Sequence, residues 1–371
     1  MHPQSASPFF RIPFELRDEI YSLLFTSTRL TFGFRVANDN QTLIKLQPSP
    51  HALALVRACR RTNAEISKSW LGHVLFSFED PRTMLDKLAT LPVEELSLVR
   101  YVSVRGDCLR LTYPPKRHVH HRLVSVFGLL PGLRLHRLTI LGGRGDKSQY
   151  RMLDELVKYG SGWRELQFIS HSSGLLGYAY YCFDAVFRHR YQRKPQPQHW
   201  QSMLEERDGA QSCPSVLIYR ASRPGCRGDV LRPQTRTLVH QSDAEASFAE
   251  YEYGTEEDLS LVGESERAKE LMLVVQRGQQ VAYEEQEATP LLPTPDMRGD
   301  FPGKSWTEIR AACVEGWETE DEVASHFMID SYHDVNEYTW TARSTYNPAT
   351  RDSLLNTPME FPEPSGSICF Y

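Results

Sequence analysis

Apolar residues fall at helical spacing in residues 12–25, which read IPFELRDEIYSLLF. Leu16, Ile20, Leu23 and Leu24 stand at i, i+4, i+7 and i+8 and form one stripe. Pro13 suits the first turn of a helix, where its missing N–H has no intrahelical partner. Glu15, Asp18 and Glu19 put negative charge at the positive end of the helix dipole. A single helix cannot bury such a stripe by itself, so it needs either the rest of this chain or another protein. A second helical pattern runs from Ala52 to Trp70, with Ala52, Leu55, Val56, Cys59 and Ile66 on one face and Arg57, Arg60 and Arg61 on the polar side. Between the two helices, residues 26–50 alternate as Leu30-Thr31-Phe32-Gly33-Phe34 and again as Thr42-Leu43-Ile44-Lys45-Leu46. The turn residues Asn38-Asp39-Asn40 between these runs predict a β-hairpin insert. His73–Phe78 reads as a short strand or a helix end.

A helix–strand rhythm follows. Helical patterns at 84–91, 122–130 and 150–159 alternate with strand patterns at 99–104, 135–141 and 163–169. Helices between strands, with short loops, predict parallel strands joined by crossover helices. Strand centres near 103, 139 and 167 give a loose period, suggesting leucine-rich-repeat-like units, although no Leu-x-x-Leu-x-Leu-x-x-Asn unit is intact. Further on, 179–191 and 200–207 read as helices and 216–220 as a strand. From Pro224 to about Glu266 the chain turns polar and acidic and reads as a disordered linker. Glu270–Arg277 is a strand pattern, and Ser305-Trp306-Thr307-Glu308 fits a capping box ahead of a helix to about Trp317. The last residues, with four prolines among the final 25, read as a tail.

The chain of 371 residues can hold two domains and a sizeable core. Its 40% hydrophobic share is below the usual level, in keeping with an unfolded part. No run of about 18 apolar residues occurs, so no membrane span is expected. The first residues, MHPQSASPFF, lack the charged start and apolar stretch of a secretory signal. Seven scattered cysteines, none in a C-x-x-C pair, point to free thiols in a reducing compartment, hence a cytoplasmic or nuclear protein. The net charge of −5 hides an asymmetry: residues 1–240 carry 34 Lys+Arg against 20 Asp+Glu (+14), and residues 241–371 carry 8 against 27 (−19). The two parts should attract each other or different partners.

Candidate chemistry adds little. His118, His120 and His121 lack a Cys pair or a second His pair at zinc spacing, so the segment reads as a solvated loop and no metal is expected. Residues 142–148, GGRGDKS, follow a strand, but Asp146 directly before Lys147 would repel phosphate, so this is a tight turn. The three Arg-Gly-Asp triplets, at 144–146, 227–229 and 298–300, read as turns. No nucleophile elbow, His-Glu-x-x-His or nucleophilic cysteine context occurs, so no enzyme activity and no cofactor is expected. The basic run Arg188-His189-Arg190-Tyr191-Gln192-Arg193-Lys194 is a solvated helix end or a nucleic-acid contact through Arg188, Arg190, Arg193 and Lys194.

IPFELRDEIYSLLF, then LALVRACRRTNAEISKSW (53–70) and HVLFSF (73–78), resembles the F-box-like N-terminus of a family of fungal proteins. Residues 194–220 resemble a further block of such proteins. The resemblance implies a helical head that grips a small Skp-family adaptor of a cullin-based ubiquitin ligase, with a repeat body behind it that selects a protein substrate. The matching positions are Ile12, Pro13, Leu16, Ile20, Leu23 and Leu24, then Leu55, Val56 and Cys59. The insert of about 25 residues departs from the pattern, because an F-box has a short loop there. The expected protein is thus α/β: an F-box-like head at 8–80 with a hairpin insert, a leucine-rich-repeat-like body at 81–222, an acidic disordered linker at 223–266, a partly ordered segment at 267–345 and a disordered tail at 346–371. Its expected function is a non-enzymatic protein–protein interaction. The alternative is a nucleic-acid-associated or nuclear protein whose basic part is autoinhibited by the acidic one.

Overall fold

The computed structural model describes residues 7–36, 43–49, 51–113, 117–143, 145–178, 180–183, 189–192, 196–239, 264–287 and 290–313. Helix α1 (Phe14–Thr26) leads into the hairpin β1 (Arg29–Val36) and β2 (Leu43–Leu46). Short helices α2 (Ala54–Ala58) and α3 (Arg60–Ile66) and a 3-10 turn at Ser69–Gly72 precede β3 (Leu75–Phe78). Then come α4 (Pro81–Leu88), α5 (Val93–Leu96), β4 (Tyr101–Arg105), the hairpin β5 (Leu109–Tyr113) and β6 (Arg117–His121), α6 (Leu123–Phe127), β7 (Leu135–Leu141), α7 (Asp146–Tyr159) and β8 (Trp163–Ser170). The rest comprises β9 (Tyr180–Phe183), β10 (His189–Gln192), α8 (Gln198–Asp208), β11 (Ser215–Ala221), β12 (Arg236–Leu238), α9 (Glu264–Arg267), β13 (Leu271–Gln276), α10 (Met297–Asp300) and α11 (Trp306–Ala312).

The fold is mixed α/β around one nine-stranded sheet, ordered β12-β11-β13-β8-β7-β4-β3-β1-β2. Its middle is a parallel run, β1-β3-β4-β7-β8, in which each strand lies beside the next one of the run. Antiparallel strands flank it: β2 on one side, and β13, β11 and β12 on the other. The sheet crosses residue 80 without a break, because β3 pairs with both β1 and β4. Gly33 marks where β1 leaves β3 and turns to β2. It is held at φ +129°, and a Cβ there would lie 2.7 Å from the Cβ of Glu79.

Side chains alternate across the sheet with the period of two that a strand imposes. Leu271, Leu273 and Val275 of β13 join the main core, whereas Met272 meets Ile169, Ala221 and Val230 in a small cluster on the other face. The main core lies under α4, α6, α7 and α8. Tyr150, Leu153 and Leu156 of α7 and Trp200 and Leu204 of α8 are fully buried in it. The rings of Tyr178 and Trp200 lie 4.9 Å and 5.2 Å from Tyr150.

Several elements differ from the sequence expectation. The helix expected over 179–191 is a pair of antiparallel strands, β9 and β10, in keeping with the strand preference of Tyr180-Tyr181-Cys182-Phe183. The helix expected over 52–70 is broken at Cys59, which is extended (φ −163°, ψ 164°) and caps α3 in a box with Thr62. The expected solvated loop at 118–121 is instead β6, and His121 is buried against the Tyr113 hydroxyl at 2.8 Å. Of the acidic linker expected over 223–266, residues 223–239 and 264–266 are ordered, the latter in α9. In the former stretch the buried Glu270 carboxylate accepts the Gly228 and Val230 N–H groups at 2.9 and 3.3 Å, and Arg223 pairs with Asp229. That order comes from a residue some 40 positions downstream, which local composition does not reveal. The capping box at Ser305 forms, but its helix ends at Ala312. Residues 240–263 and 314–371, including the tail, lie outside the described residues.

Candidate functional site

Helix α1 presents its apolar stripe to solvent. Leu16, Ile20, Leu23 and Leu24 are 41–64% exposed. The buried side is the neighbouring row of Arg17, Tyr21 and Phe25, at 1–4%. Successive residues are about 100° apart on a helix, so this row, one position on from Leu16, Ile20 and Leu24, lies well round from the stripe.

A polar network sets that orientation. Glu65 of α3 accepts from Arg17 Nη2 at 2.6 Å, Arg17 Nε at 3.0 Å, the Tyr21 hydroxyl at 2.9 Å and Arg61 Nε at 3.0 Å. The Arg17 guanidinium holds the Glu65 carboxyl down at about 2, well below its ordinary value. Burial, and then the bond to Glu65, push the Tyr21 phenol up to about 12. Arg17 also donates to the Ile12 carbonyl. The Arg61 guanidinium sits 4.4 Å from the centre of the Phe10 ring, and Phe9 packs at 5.8 Å from Tyr21. Both entering chain and helix are thereby clamped onto α3 by their polar side, with the apolar side left outward.

The sequence-predicted contact residues divide in two. Leu16, Ile20, Leu23 and Leu24 lie together on the outer face, with Ile12 half-buried and Pro13 exposed at the helix entry. Pro13 is the N-cap residue, one place before the helix. Leu55 and Val56 of α2 are half-buried and pack against the main core. Cys59 is engaged in the cap of α3, and hydrogen bonds from Thr62 lower its thiol pKa. Phe14 is also exposed, but it stands three positions before Arg17 and seven before Tyr21, on the side of the buried row, with the Arg17 guanidinium 5.7 Å from the centre of its ring. Of the basic run, Arg188, Arg193 and Lys194 lie outside the described residues, and Arg190 sits on β10 opposite Cys182.

A row of small and polar side chains crosses the parallel strands, with Ser77 and Ser103 buried in it. Thr31, Ser77, Ser103, Thr139 and Gln167 stand in register across the five parallel strands. In the row beside them Arg137 pairs with Glu165 at 2.7 Å, and Gln167 donates to Glu165 at 2.8 Å. Open α/β sheets form their ligand crevice where strand order reverses. The parallel run here advances in one direction from β1 to β8 and makes no such reversal. Among the described residues no group of three or more His, Cys, Asp or Glu side chains converges as a metal site. No helix among them is long and apolar enough to cross a membrane. No protein-family model matches the chain, and no curated protein or solved structure matches it either.

Proposed function

We propose that this protein is a non-enzymatic interaction module whose F-box-like head docks a small Skp-family adaptor, and whose leucine-rich-repeat-like body selects a protein substrate for a cullin-based ubiquitin ligase inside the cell. The observation that carries the reading is the inverted helix α1. The row of Arg17 and Tyr21 is buried on Glu65, and the four large apolar side chains of the stripe, Leu16, Ile20, Leu23 and Leu24, face water. Burying one such side chain is worth roughly 1.5–3 kcal/mol. A chain that leaves four uncovered on one face of a helix forgoes that stabilisation unless a partner supplies it, and contiguous exposed apolar patches mark such partners. The insert, which departs from the F-box pattern, supports the same reading. Its strands join the sheet edge beside β3, and the stripe stays uncovered.

Co-purification of the full chain with a Skp-family adaptor tests the proposal. The wild type should elute with the adaptor as one complex. Leu16→Asp with Ile20→Asp should weaken that complex more than tenfold, because two apolar contacts worth about 1.4 kcal/mol or more are replaced by buried charge. The same double variant should keep the wild-type melting temperature. A complex that survives both substitutions, or folded wild type that forms none, overturns it.

A further inference from the structure

A groove of about 660 Å³ opens between the β1–β2 hairpin, α2 and α4. Its inner wall is apolar: Leu30, Phe32, Phe34, Leu46, Leu53 and Trp70 line it. Four cations converge on it from four separate elements, Lys45 of β2, Arg57 of α2, Lys87 of α4 and Arg310 of α11. Asp86 is the single carboxylate in the lining, and it is engaged already. It accepts from Trp306 Nε1 and pairs with Arg310, both at 2.7 Å. Lys45, Arg57 and Lys87 form no ion pair among the described residues; Lys87 instead lies 5.6 Å from the centre of the Phe32 ring. Burial lowers the Lys87 pKa, and the positive charge of Lys45 lowers it further.

We propose that this groove is a binding site for a small amphiphilic anion, a carboxylate carrying an apolar tail. Small-molecule sites are concave, mostly apolar, about 300–1,000 Å³ in volume, and oriented by a few polar groups. The groove has that size, and its polar groups stand around an apolar inner wall. The like charges of Lys45 and partly buried Lys87 repel each other in the empty site, and an anionic head between them removes the repulsion. The tail would take the place of water over Phe32, Phe34 and Trp70. The groove is lined by residues other than the exposed α1 stripe, so the inference stands apart from adaptor docking.

Calorimetric titration of the full chain with decanoate, with decanol as the uncharged control, tests it. Decanoate should bind at one per chain and about tenfold more tightly than decanol, the preference of a charge-assisted contact worth about 1.4 kcal/mol. The preference should shrink as salt is added. Lys87→Met keeps the aliphatic stem and removes the charge, so decanoate should fall to within about threefold of decanol while decanol binding holds. Lys45→Met, at an exposed position, should act in the same direction and serves if Lys87→Met does not fold. The proposal is overturned if decanoate fails to bind, binds no better than decanol, or keeps its preference when both lysines are replaced. It is overturned equally if decanoate binds only after Glu315, Glu318 and Glu320 are changed to Gln. In that case the acid-rich stretch that follows α11 is what the groove holds.

Discussion

At the scale of single residues, the decisive contact is the Glu65 carboxylate beneath α1. Its pKa is about 2 in the folded chain against an ordinary 4.5. The unfolded chain therefore binds the extra proton between these values, and stability falls as the pH drops through that window. The contribution is complete above about pH 5, lost progressively from 4.5 towards 2, and gone below. Glu65→Gln should lower the melting temperature by a constant amount above pH 5.5. The gap to wild type should narrow between pH 4.5 and 2 in a series of thermal melts. A gap of constant size over that window would show that the carboxylate is not held by Arg17. A second pair of substitutions separates the two sides of the helix. Phe25→Ala removes a ring that is 1% exposed and should cost about 3–5 kcal/mol in urea denaturation. Leu23→Ala, at 64% exposed, should change stability by no more than about 0.5 kcal/mol. If the stripe were core, the two results would be reversed or equal.

At the scale of elements, backbone details decide where the head meets the sheet. Gly33 lets β1 pair with β3 as far as Phe32 and with β2 from there on. An L side chain at φ +129° is strained, and its Cβ would collide with Glu79. Gly33→Ala should therefore lose about 1–3 kcal/mol in urea denaturation, an effect a freely adjusting hairpin would not show. The extended Cys59 splits the second helical pattern, so that α2 and α3 present different faces. Leu55 and Val56 turn towards the core for that reason, while α3 offers Glu65 to α1. The alternation of the insert was legible as a hairpin. That its first strand would also pair with β3 depended on residues more than 40 positions away.

At the scale of the whole molecule, one sheet couples regions that composition separates. β13, from the acidic half of the chain, lies between β8 and β11 and pairs along its length with each. Leu273 is fully buried at the centre of that strand. Leu273→Ala should cost about 2–5 kcal/mol. The unfolding transitions followed at Trp70, beside β3, and at Trp163, in β8, should shift together. Separate transitions would mean that head and body unfold independently in spite of their common sheet. The charge asymmetry has a structural counterpart here, because Glu270 orders the 228–230 turn and Arg220 pairs with Glu266.

The amino-acid sequence by itself determined the elements whose signal is local. These include the helix at 14–26, the hairpin, the parallel strands at 101–105, 135–141 and 163–170, and the capping box at Ser305. Each follows from a period of 3.6 or 2, or from turn and cap residues within a few positions. Only the tertiary structure decided which side of α1 is buried, where the β13 strand inserts, and that four cations meet over one apolar groove. Periodicity marks a face as apolar but does not name what covers it. On α1 the Arg17–Tyr21–Phe25 row is also a regular helical row, and it won the interior because Glu65, 48 residues further on, neutralises and hydrogen-bonds its polar members.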